Sequence, residues 1–260
     1  MDYLAKYLSL KSPIDYELGQ LFARRDNIVL FDIGACEAED SIRYALMFPN
    51  ATIHSFEPLP SNLEIIRDNL DKTKLTHHIQ LHEIALSDKN GTATFHVSSS
   101  SQGVHANKSS SLLEPKDHLI FYDFVNFDEK IEVQTATLFD FCQTQHLTHI
   151  DFIHMDVQGA ELNVLKGAGK LIHSIKAIWL EVSPHEIYKG QALENEVYSF
   201  MKANGFFLVK NNVFHKYGEQ LYLRKDSFGL VFLYRLKIRS FFKFYFGKIT
   251  RKLMKWKKTS

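Results

Sequence analysis

The chain is short of cysteine, of metal-binding spacings and of long apolar runs. Its two cysteines, Cys36 and Cys142, are too few for a disulfide framework and have no metal-site spacing. Thirteen histidines occur without an HExxH or CxxC companion, so a zinc site has no support. No charge-free apolar run approaches the ~20 residues of a membrane-spanning helix. The start, MDYLAKYLSLKSP, lacks the basic head, apolar stretch and small-residue cleavage site of a secretory leader, so a cytoplasmic protein is expected. Acid is missing from the last 34 residues: Ser227 to Ser260 holds ten Lys/Arg and no Asp/Glu. The first 226 residues carry the other 21 basic and all 30 acidic residues, a net of −9 against +1 for the whole chain of 260. That split reads as an acidic globular body with a basic arm. A hydrophobic fraction of 45% lets the body bury a sizeable core.

What is present is an alternation of strands and helices. NIVLFDIG is an apolar run ended by Gly34, suited to a strand buried on both faces. EDSIRYALMF follows with helical spacing, and ATIHSFEP is a second strand before the helix NLEIIRDNL. HIQLHEIALSD reads as a third strand, and GTATFHV as an antiparallel excursion after the Asn90-Gly91 turn. Ser98 to Asp128 has little periodicity and reads as a long loop or lid. KIEVQTATLFDFCQTQ is a strand and then a helix, THIDFIHMDVQG a fourth core strand, and IKAIWLEVS a fifth. The α/β pattern predicts an open, mostly parallel sheet with helices on both faces, with ligands beyond the carboxyl ends of the strands. Three units are expected: an N-terminal helical segment (1–26), the sheet domain (27–226) and the tail (227–260).

The first strand-to-helix turn is acidic. After Gly34 come Ala35, Cys36, Glu37, Ala38, Glu39 and Asp40, with no GxGxxG. A helix N-terminus favours an anion, but carboxylates here oppose a pyrophosphate and help fill that potential themselves. A nucleoside ligand with a positive centre is better tolerated, and S-adenosylmethionine has that character. Gly34 lets backbone approach a ligand. Glu57, 23 residues beyond Gly34, is placed to accept from ribose hydroxyls. Either Asp32 or Glu57 alone could be an ordinary cap or turn residue, but two acids with Gly34 at adjoining strand ends favour a nucleoside site, with Asp32 and Glu57 both cofactor-binding candidates.

The segments FDIGACEAEDSIRY, FPNATIHSFEPLPSNLEII, ALSDKNGTATFHV, SSSLLEP, DFIHMDVQGAELNVLKGAG and AIWLEVS resemble, in order and spacing, the FkbM-type methyltransferases, over roughly Asn27 to Val209. The resemblance implies a class I methyltransferase (Rossmann-like) fold and S-adenosylmethionine-dependent O-methylation, often of sugars. Position by position it implies Gly34, Ala35 and Ser41 in the first ligand loop. It implies Glu57 as the ribose acid, Asn62 after it, Ala85, Leu86 and Ser87 near the adenine, and Asp156 as the acid ending the fourth strand. Many members have Asn and Gly where Cys36 and Ala38 stand, and often Lys and Glu where His154 and Gln158 stand. Ala38 fits if its backbone is not at positive φ.

Methyl transfer needs alignment, exclusion of water and removal of a hydroxyl proton. Asp156 is the candidate for orienting or deprotonating the acceptor, with or without a magnesium ion shared with Glu181. Otherwise Asp156 binds the cofactor and Glu181 faces a helix N-terminus. His154, two residues before Asp156, should point the same way along a regular strand. His154, His105 and His185 are further candidates for the base. For Cys36 a packing role is expected.

The tail, SFGLVFLYRLKIRSFFKFYFGKITRKLMKWKKTS, holds nine aromatics. Its basic spacing predicts two short amphipathic helices hinged near Gly247. Such segments lie on anionic membranes; folding onto the body, homo-oligomer formation or nucleic-acid binding are the competing readings. A membrane surface is preferred, and no nucleic acid is expected, because nine aromatics exceed what phosphate contacts require. The combined expectation is a sugar O-methyltransferase, peripheral at the inner face of the cytoplasmic membrane. Its acceptor would be a surface glycan or its lipid-linked precursor. The alternative is a cofactor-binding accessory subunit without turnover; a dinucleotide oxidoreductase is disfavoured by the acidic turn.

Overall fold

The computed structural model describes residues 3–23, 25, 27–100, 106–117, 124–213 and 216–256. In chain order the elements are helices α1 (Tyr3–Ser9) and α2 (Asp15–Phe22), strand β1 (Val29–Ile33), α3 (Glu39–Met47), β2 (Thr52–Phe56) and α4 (Pro60–Thr73). Strands β3 (Ile79–His82), β4 (Ala85–Ser87), β5 (Gly91–Ser100) and β6 (Val125–Thr137) come next, then α5 (Leu138–Thr144), β7 (Ile150–Met155) and α6 (Glu161–Gly167). The chain continues through β8 (Ile175–Val182), α7 (Glu194–Ala203), β9 (Phe206–Asn211), β10 (Gly218–Arg224) and α8 (Leu230–Trp256).

The main sheet has the strand order β3-β2-β1-β7-β8-β10-β9. β1 runs parallel to β2 and β7, β2 to β3, and β7 to β8, while β10 is antiparallel to both β8 and β9. This is the open, mostly parallel sheet with helices on both faces that the alternation predicts, and it agrees with the fold that the resemblance implies. The chain winds outward from β1 to β3 and returns to β7 on the other side of β1, so the topological switch point lies between β1 and β7.

Alternation along the strands sorts the core. Leu30, Phe152, Trp179 and Leu221 face one side, packed with Phe22, Ile42, Tyr44, Leu63 and Leu233 from α2, α3, α4 and α8. Phe31, Ile153, Ile178 and Leu180 face the other side, packed with Phe141, Leu165 and Met201 from α5, α6 and α7. Asp32, His154 and Trp179 are register partners, so they share the first face.

The sequence expectation of one third strand is corrected. The chain leaves the main sheet after His82, and Ala85–Ser87 pairs instead with β6 in a three-stranded sheet of order β4-β6-β5. The expected long loop also has structure of its own. β5 runs on to Ser100, a short 3-10 turn spans Ala106–Ser109, and Ser111 and Pro115 bridge to His96 and Tyr188. His105 lies outside the described residues.

The tail is a second correction. α8 passes through Gly247 as one helix rather than two, since a single glycine in a helix costs only about 1 kcal/mol. Its first half belongs to the body's packing: Leu233 and Leu236 are buried, the Tyr234 ring meets Phe207 edge-on at 5.1 Å, and the Arg239 guanidinium lies 3.6 Å from the Tyr16 ring centre. The N-terminal helices are tied in as well. Lys210 and Glu17 form a buried ion pair at 3.0 Å, and the Tyr7 hydroxyl donates to Asp40 at 2.6 Å.

Candidate active site

The β1–α3 turn is built by close approach. Gly34 has φ +85°, and a Cβ there would lie 1.9 Å from the Asp156 carbonyl oxygen. The amides of Gly34 and Ala35 both donate to the Phe56 carbonyl, and the Asp156 amide to that of Ile33, which binds the ends of β1, β2 and β7 together. Cys36 and Ala38 are left-handed too, at φ 52° and 62°. The condition on which Ala38 was expected to fit is therefore not met. Asn and Gly, the residues many FkbM-type chains carry at these two positions, are the types that tolerate this conformation best. The alanine and the cysteine hold it against their preference.

The acids of the turn are occupied by the protein itself. The Glu39 carboxylate reaches back to accept from the Glu37 amide at 3.3 Å and pairs with Lys108 at 2.7 Å. Asp40 accepts from Tyr7 and pairs with Arg43 at 3.4 Å. The acidity that argued against a phosphate thus fills the helix N-terminus and anchors α1 and the Ala106–Ser109 turn.

Glu57 is the carboxylate that does reach the cleft. Its Oε2 accepts from the Cys36 amide and its Oε1 from the Leu59 amide, both at 2.9 Å. Two backbone donors fix its plane and leave further lone pairs for a ligand. Burial raises its pKa to about 7, against the pull of the two amides and of Asn62.

A cleft opens at the switch point, lined by Gly34, Cys36, Glu57, Asn62, Ala85, Leu86 and Asp156 on the sheet side. Phe56, Ile84, Phe95, Leu112 and Val157 make its apolar surface, and Asn107, Lys108 and Ser110 close the opposite side. The last three were missed from sequence. Ser110 lies in the SSSLLEP stretch, whose resemblance carried no residue role, and Asn107 and Lys108 stand just before it in the segment read as a loop or lid. Lys108 also donates to the Tyr3 hydroxyl at 2.8 Å, so it clasps α1, α3 and the second sheet across the cleft.

Not every expected residue is on that lining. Asp32 and Ser41 lie beneath the turn, where the Ser41 hydroxyl donates to Asp32 at 2.5 Å and pairs with that of Ser55. Burial raises the pKa of Asp32 to about 6. Ala35 is buried behind its amide contact, and the Ser87 hydroxyl turns to Asp88 at 3.3 Å. His154 faces α3, with Nδ1 3.1 Å from the Tyr44 hydroxyl and 3.7 Å from a carboxylate oxygen of each of Asp32 and Asp40. Burial opposes its protonation, but Asp40, Asp32, Glu219 and Asp156 outweigh it and raise its pKa. It supports the turn and is absent from the cleft lining. His185 is exposed after β8, also off that lining.

Beside the cleft, Asp156, Glu161 and Glu181 bring one carboxylate oxygen each within 4.8 Å of one another. Glu161 was not anticipated; its Oε1 accepts from the amides of Val157 and Gly159, both at 3.2 Å. The Gln158 side-chain amide donates to Asp156 at 2.7 Å and to Glu181 at 3.3 Å, and its carbonyl accepts from Tyr188 at 3.0 Å. Desolvation lifts all three acids, Glu161 to about 7, and the charge of Asp156 adds to the rise at Glu161 and Glu181. Three oxygens so placed fit the oxygen ligation of a divalent cation, and equally fit a carboxylate waiting for a proton.

Residues 32–208 match the methyltransferase FkbM domain. A curated relative, the 2-O-methyltransferase NoeI of Sinorhizobium fredii, is 35% identical over 176 residues, covering 67% of this chain and 71% of the relative. Among solved structures, the precorrin-6y C5,15-methyltransferase of Geobacter metallireducens is 17% identical with a TM-score of 0.40, over 85% of this chain and 84% of the other. TrmK of M. capricolum, solved with S-adenosyl-homocysteine, is 12% identical with a TM-score of 0.44, over 82% and 70%.

Proposed function

This chain belongs to the FkbM methyltransferase family, and we propose that it moves the methyl group of S-adenosylmethionine to a hydroxyl of a sugar. The observation that carries the proposal is Glu57, an acid held in one plane by two amides at the rim of the cleft between β1 and β7. In that place it accepts from the ribose hydroxyls. Gly34 brings backbone against the cofactor, and Ile84, Leu86 and Phe95 provide an apolar bed for the adenine. The relative named as a 2-O-methyltransferase supports oxygen as the acceptor atom.

Bound in the cleft, S-adenosylmethionine would supply an electrophilic methyl group, its sulfonium leaving as a neutral thioether as the acceptor oxygen takes the methyl. The hydroxyl proton passes to Asp156. Its position at the cleft is set by the hydrogen bond from Gln158, and its raised pKa makes it a stronger proton acceptor than an ordinary aspartate. A magnesium ion held by Asp156 and Glu181, with Glu161, would supply electrostatic stabilisation of the developing alkoxide. A surface glycan or its lipid-linked precursor is the acceptor class we infer. Incubation with radiolabelled S-adenosylmethionine and a panel of glycan acceptors tests this reading, with the methylated position mapped on the product. Label in a sugar hydroxyl supports it. Tight cofactor binding without label in any acceptor would instead favour an accessory subunit.

A further inference from the structure

Three stripes run along the first four turns of α8. One is buried against the body: Leu233, Leu236 and Ser240 are 0%, 3% and 6% exposed. Roughly opposite lies an apolar stripe, Leu230, Val231, Tyr234, Ile238, Phe241 and Phe242, with exposures from 53% to 86%. At about 100° per residue these positions fall on one continuous arc of the helix. Arg235 and Arg239 border that arc on one side and Lys237 on the other. Leu230, Val231, Tyr234 and Ile238 line a shallow groove together with both arginines and Tyr16. Grouped large apolar side chains on a surface mark a contact surface rather than scatter.

We propose that this face of α8 docks on an anionic membrane surface. The apolar arc would enter the headgroup–acyl boundary while the flanking cations meet lipid phosphates. Charge selects this occupant. From Ser227 to Ser260 there are ten basic residues and no acid, so a two-fold contact between copies of this face would set cation against cation. A nucleic acid would engage the cations but leave the apolar arc in water. Among the described residues no helix is long and apolar enough to cross a membrane, so the helix lies on the surface. The docking does not rest on the transfer reading. If both hold, the surface that binds α8 also carries lipid-linked sugar acceptors.

The full chain is sedimented with phosphatidylcholine vesicles with and without phosphatidylglycerol, alongside a Val231→Asp/Ile238→Asp variant and an Arg235→Gln/Lys237→Gln variant. The wild type should co-sediment with the anionic vesicles. The apolar-face variant should bind roughly tenfold or more weakly, and the charge variant should lose its preference for anionic lipid. All four positions are exposed, so circular dichroism and melting should match the wild type and exclude misfolding. Absence of binding to anionic vesicles, or binding undiminished by the aspartates, overturns the proposal. So does a dimer that the aspartates dissociate, or oligonucleotide binding without vesicle binding.

Discussion

Gly34 and the carbonyl of Asp156 approach so closely that a methyl group on the glycine would sit 1.9 Å from the oxygen. The contact joins β1 to β7 where the cofactor cleft opens. Gly34→Ala adds that clash to a backbone at φ +85°. It should cost roughly 3 kcal/mol or more of stability and abolish binding of S-adenosylhomocysteine. Chemical denaturation and calorimetry read both.

The turn offers the opposite experiment. Ala38 holds a left-handed conformation, φ 62°, without being glycine. Ala38→Gly should stabilise the chain by a few tenths to about 1 kcal/mol, and cofactor affinity should not fall. A destabilised variant would mean that the buried methyl group outweighs the backbone strain.

Asp156→Asn keeps the shape of the side chain but removes the proton acceptor. Turnover should fall by roughly 10²–10⁴-fold, while affinity for S-adenosylmethionine stays within a few-fold. Undiminished turnover in a folded variant removes Asp156 from proton transfer and points to Glu181 or an external base.

Glu57 makes cofactor binding dependent on pH. Its pKa is raised from the usual 4.5 to about 7, so the empty folded protein holds a proton that the unfolded chain has released. Its contribution to stability is therefore present below about pH 4.5 and is lost as pH rises through about 7. The ionised form is the better acceptor for ribose hydroxyls, so affinity should rise across the same interval and level off above it. Glu57→Gln should bind weakly and with that slope removed. Titrations at several pH values separate this effect from Asp32 and Glu161, which are unchanged in the variant.

His54 and His82 give an acid-side signature. Their rings share a hydrogen bond at 3.0 Å among Phe31, Phe56 and Phe141, and burial lowers both pKa values from 6.5 to about 4. Folding keeps them neutral, so their contribution is full above pH 6.5 and is lost as pH falls toward 4. His54→Phe should make the fall in melting temperature across that range shallower.

Much of the site was legible because it is local. Gly34, Glu57, Asn62 and the Ala85-Leu86 pair sit at strand ends that hydrophobic runs and turn residues mark directly, and the structure brings them to one cleft. Asp32 and His154 were legible as strand-end residues but not in direction. Alternation turns them toward α3, and only the register with Trp179 makes that visible. Lys108 and Asn107 were not legible, since their segment has no periodicity and the Lys108–Glu39 contact spans 69 residues. Positive φ at Cys36 and Ala38 left no mark in these residue types themselves; its only sign was the Asn and Gly that many FkbM-type chains carry at the two positions. The tail's charge pattern located an exposed basic helix, yet a basic stripe alone does not reveal which side the body covers.

The most direct measurement is calorimetric titration of S-adenosylmethionine, S-adenosylhomocysteine and NAD into the wild type and Glu57→Ala. Both adenosyl ligands should bind the wild type and lose roughly tenfold or more in affinity in the variant, with NAD silent. Binding of NAD alone, or adenosyl binding indifferent to Glu57, would contradict the nucleoside site on which the account rests.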